Sequence, residues 1–128
     1  MNTKPQILFL SHGGGPMPLL GDVGHKEMID CLQKISSILR KPSAILVVSA
    51  HWEEKIPTIT SGANPSLIYD YYGFPEKSYS ITYPCQGEPS LAEQTYKRLE
   101  HSGISAKLDE QRGFDHGLFI PLKILCCF

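Results

Sequence analysis

The apolar positions of the chain follow two rhythms. "QILFL" (6–10) and "SAILVVSAHW" (43–52) are short continuous apolar runs, the pattern of strands buried on both faces. Between them, "GHKEMIDCLQKISSILRKP" repeats Met28, Ile29, Leu32, Ile35, Ile38 and Leu39 at three- and four-residue steps, the stripe of an amphipathic helix. Lys34, Arg40 and Lys41 suit its C-terminal end, and Pro42 stops it. Strand, helix, strand predicts a βαβ unit and with it a parallel sheet.

Further along, "KIPTITSG" (55–62) reads as a strand, with Pro57 favouring an edge. "YSITY" (79–83) alternates as a strand does, and "ISAKLD" (104–109) reads as another. "EPSLAEQTYKRLEHSG" (88–103) predicts a second helix, opened by Ser90 with Glu93 or by Pro89, and closed by Gly103. Residues 63–78, "ANPSLIYDYYGFPEKS", combine turn formers with aromatics and predict a structured loop. "RGFDHG" (112–117) reads as a glycine-bounded turn, and "LFIPLKILCCF" is apolar to the last residue. The expected architecture is α/β, a central, mostly parallel sheet flanked by helices, in one domain over 1–128. That domain is expected to be partial and incomplete at its C-terminus, because an apolar end needs a cover. Self-association through this end is the corresponding expectation.

Composition narrows the partners. The formal net charge is −1 with no block of like charge, which argues against nucleic acid or a membrane surface. No apolar run approaches the roughly 18–20 residues of a membrane span. The N-terminal apolar run, Ile7 to Leu10, is too short for a secretory signal core, so the expected location is cytoplasmic. Cys31, Cys85, Cys126 and Cys127 form no C-x-x-C pair and are expected to be free thiols.

Three of the five histidines share a setting. His12 ends one apolar run and precedes Gly13, Gly14 and Gly15, His51 ends the other, and His116 sits in "FDHG". Ligands of open parallel sheets bind beyond the carboxyl ends of the strands. If the two runs are neighbours, His12 and His51 converge on one crevice, and His116 completes a nitrogen donor set suited to Fe2+ or Zn2+. Asp115 could fix the tautomer of His116. Glu53 and Glu54 offer carboxylates but suit a solvated turn. Tyr69, Tyr71, Tyr72 and Phe74 could wall a pocket for a flat ligand. His25 and His101 are expected at the surface, and the three glycines are expected to leave room for metal and substrate.

"LSHGGGP", "VVSAHW", "YDYYGFP" and "FDHGLFIPL" stand in the order and character of one family. The chain resembles the DODA-type extradiol aromatic ring-opening dioxygenases, related to the class III extradiol dioxygenase B subunits, from residue 7 to about residue 125. The resemblance implies an α/β fold and one non-haem Fe2+ or Zn2+. It implies that His12 and His51 are metal ligands and that His116 lies in the metal site and acts as a catalytic acid/base. The substrates it implies are a small aromatic diol such as DOPA and O2. Family members are longer and carry a further metal-site histidine in a C-terminal half without counterpart here. Two other readings stay open on the residues: a non-catalytic metal-binding module of the same fold, and a zinc hydrolase using the same histidines.

Overall fold

The computed structural model describes residues 4–125. Its helices are α1 (Lys26–Ser36), α2 (Pro89–His101) and α3 (His116–Leu125), with 3₁₀ turns at Met17–Leu20, Val23–His25 and Glu76–Ser80. Strands β1 (Thr58–Thr60) and β2 (Lys107–Asp109) pair in parallel, Thr58 against Lys107 and Thr60 against Asp109. The fold class is therefore α/β, with a small parallel sheet of two strands among the described residues.

A βαβ unit is present, but later in the chain than the apolar runs suggest. It is β1–α2–β2, with α2 packed against both strands. Pro89 opens α2 at its first position, and the Glu88 side chain, rather than Ser90, caps it by accepting from the Ser90 amide at 3.2 Å. Gly103, at φ 77°, ends it as expected.

The runs 6–10 and 43–52 join no ladder, contrary to expectation. Each shows the core one face only: Leu10 and Val47 pack inward, whereas Ile7, Phe9 and Val48 are almost fully exposed. The start of the first run is tied by side chains to Arg40, ahead of the second. Gln6 exchanges two hydrogen bonds with the backbone of Arg40, and the Arg40 guanidinium donates to the Lys4 carbonyl. The strand expected at 79–83 is also absent. A 3₁₀ turn takes Tyr79 and Ser80, and the Ile81 carbonyl accepts from the Tyr69 hydroxyl.

The core is centred on α3. Phe119, Ile120 and Leu125 are fully buried, and they pack with Leu32 of α1 and with Tyr71. Burying each such side chain contributes about 1.5–3 kcal/mol. Ser36 donates to the Leu125 carbonyl, joining the ends of α1 and α3. The apolar C-terminal segment is thus interior as far as Leu125, while Cys126–Phe128 lie outside the described residues. Its helical form was not visible in the sequence. A helix buried on all sides shows no polar stripe, and Pro121 inside it argues against a helix. Cys31 and Cys85 are free thiols. Among the described residues no helix is long and apolar enough to cross a membrane.

Candidate metal centre

Three segments deliver the three histidines to one point. His12 leaves the first apolar segment, His51 the second, and His116 opens α3. One ring nitrogen from each lies within 4.8 Å of the others. The Nε2 atoms of His12 and His51 are 2.9 Å apart. Ring centroids are separated by 4.5 Å (His12–His51), 5.4 Å (His12–His116) and 4.1 Å (His51–His116). His116 is buried, His12 half-buried and His51 exposed, so the cluster opens to solvent on the His51 side.

Burial, followed by the proximity of His51 and of His116, pushes the pKa of His12 below its ordinary 6.5. Neutral imidazole is the metal-binding form. His12 Nδ1 is buried and has no hydrogen-bond partner among the described residues. Three convergent ring nitrogens, one edge open, fit a single Zn2+ or Fe2+ with room for further ligands.

The tautomer of His116 is set by Asp70, not by Asp115. Asp70 Oδ1 lies 2.7 Å from His116 Nδ1 and accepts from the His116 amide at 3.0 Å. The Nδ1 proton thus goes to the carboxylate, and Nε2 is left with its lone pair free. Burial works against the charge on Asp70, but the two His116 hydrogen bonds outweigh it and hold the carboxyl below its ordinary value. The lone acid among the aromatics of "YDYYGFP" was the available signal, and it passed as part of an aromatic loop.

Asp115 has a different task. It caps α3, its Oδ1 accepting from the Leu118 amide at 3.2 Å and from the Ser49 hydroxyl at 2.8 Å. Its Oδ2 accepts from Arg112 at 3.3 Å, and the Arg112 guanidinium lies 4.7 Å over the Trp52 ring. Asp115, 3% exposed, thereby ties the His51 segment to the start of α3.

The aromatic wall is narrower than expected. Tyr71 stands edge-on to His116 at 5.7 Å, and Phe74 contacts the space beside Gly15. Tyr69 packs on Phe119, and Tyr72 is exposed. The Tyr71 hydroxyl donates to the Ser78 carbonyl, and burial raises its pKa to about 12, so it remains a neutral phenol. Glu53 and Glu54 are exposed and outside the cluster, Glu54 accepting from the Trp52 indole. His101 is exposed on α2, as expected.

His25 departs from expectation. It is largely covered, with Nδ1 2.6 Å from Asp22 and Nε2 accepting from the Gly14 amide at 3.0 Å. Gly13 and Gly14 pack against its ring. Gly13 has φ 74°, and a Cβ there would meet the His25 ring at 2.6 Å and Pro18 at 2.8 Å.

An α/β chain that gathers three imidazoles at one open-sided point offers a nitrogen donor set that could hold a single metal ion. Residues 6–127 match the family described as the catalytic LigB subunit of aromatic ring-opening dioxygenase, and the chain belongs to that family. It is 45% identical over 127 residues to the dioxygenase tasH of Hapsidospora irregularis, covering 93% of this chain and 39% of that protein. It is 39% identical over 125 residues to the 4,5-DOPA dioxygenase extradiol of Portulaca grandiflora, covering 94% and 45%. For the 4,5-DOPA dioxygenase extradiol of Escherichia coli (strain K12), identity is 38% over 117 residues, covering 91% and 41%. The chain spans less than half the length of each of these relatives.

Proposed function

We propose that this chain carries the metal-binding part of an extradiol ring-opening dioxygenase that acts on a small aromatic diol of the DOPA type with O2. His12 and His51 would hold one Fe2+ or Zn2+, with His116 in the same site as the acid/base. The observation that supports this most is the convergence of the three imidazoles within a chain of the LigB family. The bound ion would supply an open coordination sphere at which a diol and O2 can meet.

The chain's own residues account for the rest. The proton on His116 Nδ1 is held by Asp70, which leaves Nε2 to take a proton from a catechol hydroxyl and to return it later. The Tyr71 ring closes one side of His116 and, as a neutral phenol, does not compete for that proton. The exposed side at His51 is the way in for a substrate.

The test is anaerobic loading with Fe2+, followed by L-DOPA or catechol and then O2. Uptake of one O2 per ring, with a yellow ring-opened product, is expected. Metal retention without uptake would leave a binding module. Turnover of esters or amides with Zn2+ would make the site a hydrolase.

A further inference from the structure

The three histidines are not held in the same way. His116 has a carboxylate on its ring. His12 has none: its Nδ1 is buried without a hydrogen-bond partner among the described residues, and its Nε2 stands 2.9 Å from His51 Nε2. The aim of His12 therefore depends on its backbone, and that backbone runs directly into the turn Gly13–Gly15. Gly13 and Gly15 both adopt positive φ, 74° and 51°.

What holds that turn is a two-residue clamp from further along the chain. The Gly14 amide donates to His25 Nε2 at 3.0 Å. A nitrogen that accepts carries no proton, so the His25 proton is on Nδ1, where Asp22 takes it at 2.6 Å. The His25 ring also fills the space where a Cβ on Gly13 would stand. Met17 donates to the Gly14 carbonyl at 3.1 Å, which fixes the next peptide group of the turn.

We infer that Asp22 and His25 are positioning residues of the metal centre: Asp22 sets the His25 tautomer, and His25 grips the Gly14 amide and so aims His12. This rests on the reading of His12 as a metal ligand. It acts two residues beyond the ligand, through the main chain, whereas Asp70 acts on the ring of His116 itself.

The experiment is calorimetric titration of the full chain with Zn2+ alone, alongside the Co2+ absorption spectrum as a report on the ligand set. His25→Ala is expected to weaken binding by about 10–100-fold. His25→Gln, whose side-chain oxygen reaches the position of Nε2 and accepts the same amide, is expected to restore most of the affinity and the parent Co2+ spectrum. A purely structural role would change the melting temperature without this rescue. Parent affinity in His25→Ala, or Gln as weak as Ala, overturns the clamp. Should His25→Ala fail to fold, Asp22→Ala decides: weaker binding supports the clamp, and parent affinity overturns it. His12→Ala keeps the two readings apart. If it binds as the parent does, the centre is refuted and the clamp with it. If it loses the ion while His25→Ala does not, only the clamp falls.

Discussion

His116 and His12 reach the same point from opposite kinds of surroundings. His116 begins a helix whose residues Phe119, Ile120 and Leu125 are fully buried, and its ring is locked by Asp70. His12 and His51 end two segments whose apolar side chains largely face solvent: Phe9 is 104% exposed and Val48 94%. The whole chain exposes 8932 Å². A compact monomer of 14.3 kDa would expose about 6,800 Å². The exposed large apolar side chains include Ile7, Phe9, Leu46 and Val48 of these segments and none from α3. One arm of the site is thus carried by core packing. The other relies on local ties: Gln6 to Arg40, Ser49 to Asp115, and His25 to Gly14.

The contrast breaks most sharply on stability. Phe119→Ala is expected to cost about 3–5 kcal/mol in denaturant unfolding. Phe9→Ala, an equal loss of side chain, is expected to stay within about 0.5 kcal/mol of the parent, because Phe9 is already in water. Equal costs would show that the 6–10 segment is covered in solution. A comparable split is expected in the site: His12→Ala and His51→Ala reduce the metal content measured by elemental analysis, while His116→Ala reduces turnover more than metal content. Unchanged metal in both of the first two variants would refute the site assignment.

Asp70→Ala removes the lock on the buried arm and is expected to lower turnover by about 10–100-fold with the metal retained. Parent activity in this variant would leave His116 without need of an orienting carboxylate. Asp115→Ala removes the cap of α3 and is expected to cost about 1 kcal/mol in thermal unfolding, with the Ser49 tie lost as well.

The smallest expected effect is on pH dependence. His12 has its pKa lowered in the folded chain, so on acidification the unfolded chain takes up the proton first. Metal-free stability should be level above pH 6.5 and decline as pH falls from 6.5 toward the lower folded value. Asp70 is lowered too, so its contribution is present above its ordinary 3.8 and is lost as pH falls through its folded value. Melting temperatures from pH 8 to 5 separate the two groups. His12→Ala should flatten the first decline, and a parent that is already flat would contradict it.

The sequence was most legible where chemistry and local geometry coincide. The three histidines, the amphipathic α1, the Pro89-opened α2 and both strands could be read from residue type and spacing. Three features could not. The runs 6–10 and 43–52 have strand composition, but a ladder also needs a neighbour, and composition does not supply one. Helix α3 is apolar on every side and contains Pro121, so periodicity gave no helical signal. The partners Asp70 to His116 and His25 to Gly14 are separated by 46 and 11 residues, and only folding brings them together. Asp115 was the tempting choice for His116 because it is adjacent. Adjacency in fact placed it at the helix cap.

The central claim is that one cation belongs among three imidazoles. Anomalous diffraction at the zinc edge, from crystals grown with Zn2+, tests this most directly. One peak is expected among the three imidazoles, at about 2.0–2.1 Å from a ring nitrogen of each of His12 and His51. A peak bound elsewhere on the chain, with His12 and His51 uncoordinated, would contradict the account.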